Sequence, residues 1–177
     1  MHRIFLIGFM GSGKTSTGKR LATELSMQHI DLDAFIEARY CKSVQKIFSE
    51  DGENYFRNIE QKILLEVSEY EDIIISTGGG TPCFFDNMHL MNRKGFTVFL
   101  DSSVETLAAR LQTAKVQRPL LQNKTEKELA IYIASLLEQR RPFYDIAQLT
   151  ITANNKNFEH IQTIKNAYLD FLHKLKQ

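Results

Sequence analysis

The chain has almost no excess of charge of either sign, with 22 Lys and Arg against 21 Asp and Glu. So close a balance gives no general attraction to nucleic acid or to an anionic membrane surface, and any basic function has to be local. Cysteine is scarce: Cys41 and Cys83 are the only two. They are too few for a disulfide scaffold and lack metal-ligand spacing, so ordinary thiols in a reducing, cytoplasmic interior are expected. No apolar run approaches the roughly 20 residues of a membrane span, and an apolar strand pattern begins within the first few residues, so no signal peptide is expected. Internal repeats and low-complexity stretches are missing as well. One domain is expected, because 177 residues are enough for a full hydrophobic core, and a cytoplasmic monomer is expected with it.

What is present is concentrated near the start. Four apolar residues, Ile4 to Ile7, run into Gly8, Gly11 and Gly13, and Lys14 and Thr15 then open a segment of helical spacing. The pattern is G-x-x-x-x-G-K-[ST], a phosphate-binding loop. Glycines let the backbone curl so that its N–H groups point inward, the helix start adds a positive dipole end, Lys14 adds a full charge, and the Thr15 hydroxyl can hold Mg²⁺. Strand, loop, lysine, hydroxyl and helix come in the required order, so a nucleoside triphosphate is the expected ligand. Gly11, Ser12, Gly13, Lys14, Thr15 and Ser16 are the residues expected to hold it.

Periodicity supplies the frame. The first helix should reach about Ser26. HIDLD reads as a short second strand, with Asp31 and Asp33 at alternate extended positions and both carboxylates on one side. Short helices are expected over 34–40 and 44–48, with a break at Asp51-Gly52. From Glu53 a longer helix carries Phe56, Ile59, Ile63 and Val67 as an apolar stripe. Residues 73–75 look like a strand buried on both faces, and further strands are expected at 97–100 and 149–152. Helices are expected at 87–92, 104–111, 126–140 and 158–175, and residues 112–124 read as a mobile loop. Strands alternating with helices predict an α/β fold of three layers, with helices on both faces of a five-stranded parallel sheet.

Ligands of such sheets sit beyond the carboxyl ends of the strands, where Lys14, Asp31, Asp33 and Gly78 to Gly80 should converge. Asp31, nearer the strand, suits Mg²⁺, either directly or through its water shell. Asp33, a step further out, suits a hydroxyl that receives a phosphoryl group. Both could instead merely cap the following helix. Three glycines in a row let backbone come up against a ligand, and Ser76 or Thr77 can add a hydroxyl to the metal's water shell. Arg140 falls on the apolar stripe of Leu129, Ile133, Leu136 and Leu137, where an arginine needs an anion. Arg57 borders the inward face of its own helix, with a surface pair to Glu60 as the alternative. Each is expected to be incompletely paired on its own, and two guanidinium forks aimed at one pocket suit a planar carboxylate. Arg118, on the loop, is placed to close over a triphosphate and keep water out.

Together these residues resemble the shikimate kinases over nearly the whole chain. GFMGSGKTSTGK is similar to that family's phosphate loop, DLD to its metal and substrate carboxylates, FRNIE to its substrate arginine helix and STGGG to its second nucleotide motif. RPLL is similar to the lid, and RRPFY to the second substrate arginine. The resemblance implies ATP-dependent phosphorylation of the shikimate 3-hydroxyl, in aromatic amino-acid biosynthesis. It implies that Asp33, Arg57, Gly79 and Arg140 contact shikimate, that Arg118 contacts ATP and that Thr15 coordinates Mg²⁺. Arg110 becomes a second adenine or phosphate contact. The substrate region would be about 32–62 and the lid about 112–124. One departure lies after the fifth strand, where the family often offers an arginine and a proline against adenine and this chain has Lys156 and Phe158.

Two other functions compete. A gluconate or nucleoside monophosphate kinase would share the loop and lid but not DLD with FRNIE and the glycine triplet. A GTP switch would need N-K-x-D, and Asn155-Lys156 is followed by Phe158 where aspartate is required. Lys14, Thr15, Asp31, Asp33 and Arg118 occur together, which argues against an inactive relative.

Overall fold

The structure, a computed structural model, describes residues 2–113, 125–154 and 158–175. Five strands, β1 (Arg3–Ile7), β2 (Gln28–Asp31), β3 (Ile73–Ser76), β4 (Phe96–Asp101) and β5 (Leu149–Thr152), form one sheet in the order β2-β3-β1-β4-β5. Every pairing is parallel. β1 lies in the middle because all five of its residues are buried, as a strand covered on both faces requires.

Alternation along the strands divides the core. Phe5, Ile7, Ile73, Ile75 and Phe99 face one side, and Ile4, Leu6, Ile74, Val98, Leu100 and Ile151 the other. The second side is covered by α1 (Lys14–Leu25) and α8 (His160–Lys174), through Leu21, Ile161, Ile164 and Tyr168. The first is covered by α2 (Leu32–Tyr40), α3 (Val44–Asp51), α4 (Glu53–Val67), α5 (Asn87–Lys94), α6 (Val104–Gln112) and α7 (Glu126–Tyr144). Each large aliphatic side chain buried in this way contributes about 1.5 to 3 kcal/mol. The result is the three-layer α/β arrangement that the sequence predicts.

The register sets the strand ends level. Asp31 lies beside Ser76, Leu6 beside Ser76, Ile7 beside Phe99 and Asp101 beside Thr152. The chain leaves β1 toward α1 with β3 on one side and β4 on the other, so a crevice opens at the carboxyl end of β1.

Three expectations change. Asp31 and Asp33 do not alternate on extended chain, because α2 begins at Leu32; Asp31 is its N-cap, accepting the Ala34 N–H at 3.2 Å, and Asp33 lies in its first turn. That cap stabilises the helix by about 1 kcal/mol, which favours starting it early. α7 does not stop at Arg140 but runs through Pro142 to Tyr144. The missing proline N–H falls near the helix end, and Tyr144, fully buried, holds the last turn against the sheet. The break before α4 is at Gly52 alone, with φ of 85° and Asp51 still helical.

Candidate active site

A cavity of about 750 Å³ lies at the carboxyl end of β1 and is lined by the phosphate loop, Asp31, Asp33, Thr77 to Gly79, Arg110, Ala153, Phe158 and His160. The loop owes its shape to glycine. Gly8, Gly11 and Gly13 have φ of 138°, 82° and 96°, a region that favours residues without a Cβ. Gly13 is also the N-cap of α1 and offers no side-chain cap. The first N–H groups of the helix are therefore left for an anion. Lys14 is buried at the loop's centre and donates to the Gly8 and Phe9 carbonyls at 2.8 and 2.9 Å, which keeps the ammonium inside the curl.

Ser76 Oγ donates to the Lys14 carbonyl at 3.1 Å and lies 3.0 Å from His29 Nε2. A hydroxyl has one proton, so His29 Nε2 donates to Ser76. Burial holds the His29 pKa below its ordinary value. Gly18 makes room for this link, since a Cβ there would come within 2.5 Å of His29. Thr77 Oγ1 donates to the Leu6 carbonyl at 3.2 Å. Both hydroxyls considered for the metal's water shell thus already donate to main chain.

On the same wall Thr15 Oγ1 donates to Asp31 Oδ2 at 2.6 Å. A hydroxyl and a carboxylate at the mouth of a phosphate loop are hard oxygen donors of the kind Mg²⁺ takes, with phosphate and water filling the rest of its octahedron. Among the described residues no group of three or more His, Cys, Asp and Glu side chains could hold a metal alone. Arg110 closes the far side, donating to the carbonyls of Gly11 at 3.2 Å, Ala153 at 2.9 Å and Asn154 at 3.0 Å. Desolvation lowers its pKa. His160 lies 3.0 Å from Thr17 Oγ1, and burial followed by the Arg110 charge pushes its pKa down. Phe158, at φ of 57°, stacks beneath the Arg20 guanidinium at 3.8 Å.

The second half of the site is built on the glycine triplet. Asp33 Oδ1 would stand 2.9 Å from a Cβ at Gly78, where Glu60 Oε1 and Thr81 Oγ1 would each stand 3.0 Å away. A Cβ at Gly79 would meet the Met10 N–H group at 3.2 Å and Arg140 Nη1 at 3.4 Å. One at Gly80 would meet Arg57 Nη2 at 2.7 Å. The two arginines therefore lie against adjacent backbone positions, and Asp33 lies against the one before them. Arg140 Nη1 is buried without a hydrogen-bond partner, while its charge lies 5.5 Å over the Phe9 ring.

Arg57 corrects the expectation of an incompletely paired cation. Its Nη1 donates to Glu60 Oε2 at 2.8 Å, and Nε and Nη2 both reach Glu53 Oε1, at 3.1 and 2.9 Å. The pair with Glu60 is present but is no surface pair, because the Glu60 side chain is 1% exposed. The α-helical spacing of three and four residues brings all three side chains to one face.

The cavity brings Gly11, Ser12, Gly13, Lys14, Thr15, Ser16, Asp31, Asp33, Gly79 and Arg110 together. Arg57 and Arg140 stand behind its glycine wall. Arg118 and Lys156 lie outside the described residues, as does nearly all of 112–124. Tyr144 was missed: it is buried, donates to the Gly79 carbonyl at 2.5 Å, and burial raises its pKa. RRPFY contains it, but only the bend of α7 onto the triplet shows what the hydroxyl does. Glu53, Thr81 and Phe84 were missed too. The Phe84 ring lies 4.0 Å from the Arg57 guanidinium carbon.

A phosphate loop at the central strand of a five-stranded parallel sheet, with polar side chains facing it across one cavity, defines a P-loop kinase. The family model for shikimate kinase matches residues 10–169. A shikimate kinase of Phocaeicola vulgatus is 57% identical over 148 residues, covering 84% of this chain and 85% of that protein. The crystal structure of shikimate kinase from Bacteroides thetaiotaomicron matches with a TM-score of 0.86 at 45% identity, covering 99% of each chain. The shikimate kinase of Acinetobacter baumannii in complex with shikimate matches with a TM-score of 0.81 at 30% identity, covering 99% of this chain and 95% of that one. The chain belongs to the shikimate kinase family.

Proposed function

We propose that this chain transfers the γ-phosphoryl group of ATP to the 3-hydroxyl of shikimate, giving shikimate 3-phosphate and ADP on the way to chorismate and the aromatic amino acids. The observation that carries this reading is the placing of Asp33, Arg140 and Arg57 against the successive glycines Gly78, Gly79 and Gly80, opposite the phosphate loop. A hydroxylated carboxylate is the acceptor such a wall suits: the two guanidinium forks take the carboxylate, and Asp33 takes a hydroxyl.

The phosphates of ATP lie in the loop, held by its N–H groups, Lys14 and the uncapped start of α1, with Gly11, Ser12, Gly13, Thr15 and Ser16 in contact. Lys14 then meets the charge that spreads over the transferred group, having left the carbonyls of Gly8 and Phe9. Thr15 and Asp31 would hold Mg²⁺, which supplies charge neutralisation on the phosphate oxygens. Asp33 accepts a hydrogen bond from the acceptor hydroxyl, points its oxygen at the phosphorus and takes up its proton. Arg110 fixes the nucleotide end by tying Gly11 to Ala153. Arg118 is assigned to the nucleotide, and 112–124 to a lid, on the family resemblance; Lys156 is assigned to the nucleotide as well, at the point where this chain departs from the family's arginine and proline.

The same reading gives one domain acting as a monomer in the cytoplasm. The cytoplasmic part is in keeping with Cys41 and Cys83 being free thiols; among the described residues no helix is long and apolar enough to cross a membrane. Supplying ATP and Mg²⁺ with shikimate, gluconate or a nucleoside monophosphate tests the assignment. Shikimate alone should yield the phosphate ester at the 3-position. Faster turnover of either competitor would overturn it.

A further inference from the structure

We propose that Glu53 is a latch on Arg57: it occupies the edge of the guanidinium that the acceptor's carboxylate needs, and acceptor selectivity includes the displacement of Glu53. The inference rests on the reading of Arg57 as a carboxylate ligand. It starts from the unequal way in which two glutamates hold one arginine.

Glu60 is fixed. Its side chain is 1% exposed, one oxygen accepts from Arg57 Nη1 at 2.8 Å, and the other accepts from Thr81 Oγ1 at 2.6 Å. Moving it would strand a buried carboxylate. Glu53 is held differently. Its side chain is 53% exposed, and a single oxygen, Oε1, accepts from both Nε and Nη2 of Arg57. The Nε and Nη2 edge is one of the sides on which a guanidinium forms two parallel bonds to a carboxylate, and a carboxylate using both oxygens there binds better than one oxygen shared between two donors.

Charge favours the exchange as well. Arg57 and Arg140 bring two positive charges to this wall, and Glu53, Glu60 and Asp33 bring three negative ones. Glu53 on the guanidinium therefore repels an anionic acceptor at that edge, and its displacement removes the repulsion. Glu53 also has somewhere to go, since it lies in the first turn of α4, where the helix dipole and solvent both stabilise a carboxylate. Phe84 against the guanidinium and the close backbone of Gly80 keep Arg57 itself from following. The latch opens and the arginine stays.

The test measures binding of shikimate and of its carboxamide to wild type, Glu53→Gln, Arg57→Ala and the double variant. Glu53→Gln should bind shikimate about two- to fivefold more tightly, the change corresponding to an exposed ion pair, with the carboxamide and ATP unaffected. In the Arg57→Ala background the same substitution should change nothing. If Arg57→Ala still prefers acid over amide as wild type does, the carboxylate reading of Arg57 fails. If Arg57→Ala loses that preference while Glu53→Gln leaves shikimate binding unchanged or weaker, the latch alone is wrong. A gain from Glu53→Gln that persists without Arg57 would also overturn it.

Discussion

On the proposed nucleotide side of the cavity the groups on offer are mostly main chain: the N–H groups of a loop shaped by Gly8, Gly11 and Gly13, and the uncapped start of α1. On the proposed acceptor side they are side chains from distant segments, Asp33 of α2, Arg57 of α4 and Arg140 of α7, brought to consecutive glycines. Phosphate can be read by backbone dipoles because the loop needs no counter-charge to hold its shape. A carboxylate read by guanidinium forks needs those forks stored and aimed, and this chain stores them in opposite ways. Arg57 is held by two glutamates, whereas Arg140 has a buried nitrogen without a partner.

Removing the full charge from the nucleotide side should have the largest effect. Lys14→Ala should keep the fold and cut turnover by on the order of a thousandfold or more, because the transferring phosphate loses its nearest cation. Single-turnover measurements check this, and near-normal phosphoryl transfer would contradict the assignment of Lys14.

Arg57→Ala and Arg140→Ala should each weaken shikimate binding by about 2 to 4 kcal/mol and leave ATP affinity nearly unchanged. They should part in stability. Loss of Arg57 leaves Glu60 buried with one fewer partner and should cost about 3 kcal/mol of folding free energy. Loss of Arg140 removes an unsatisfied donor and should cost much less. Urea titrations of the two variants read the difference directly, and equal losses of stability would mean that the two arginines are not stored differently.

Gly80→Ala should act on the acceptor side only. Its methyl would stand 2.7 Å from Arg57 Nη2, and the guanidinium is braced by Glu60, Glu53 and Phe84. Shikimate binding should weaken by about 1 to 2 kcal/mol through misplacement of the fork. Calorimetric titration with shikimate and with ATP separates the two sides.

The smallest effect concerns pH and the nucleotide side. Burial holds the pKa of His29 and of His160 below the ordinary 6.5. A depressed folded-state pKa means that the unfolded chain takes up the proton first. The stability from each neutral histidine is therefore present above about pH 6.5 and lost as pH falls through the lower folded value. Melting curves of wild type and His160→Gln should keep a constant separation above that pH and converge or cross below it. Parallel curves across the whole range would show that His160 does not titrate with folding.

The contrast between the two sides also explains what could be read from the chain. The phosphate loop is contiguous, and each of its residue types has one physical reason to be there, so strand, loop and helix were legible without coordinates. The five strands and their parallel direction followed from short apolar runs separated by helical periods, whereas their order in the sheet did not. Arg140 was legible because it falls on an apolar stripe. The pairing of Arg57 was not, since spacings of three and four on a helix usually mean exposed pairs and only tertiary packing buries Glu60. Asp33 was placed on extended chain because the cap that starts α2 at Leu32 depends on a single hydrogen bond. Tyr144 could not be found at all, because Pro142 reads as a helix stop and the packing of Tyr144 overrides it.

The claim that one carboxylate is held by both arginines has a direct test in a double-mutant cycle on shikimate affinity, with Arg57→Ala, Arg140→Ala and the two together. If both forks share the same carboxylate, the double variant should lose little more than either single one, because the first removal already breaks the clamp. Losses that simply add would mean that the arginines act on separate groups, and the acceptor side would have to be rebuilt.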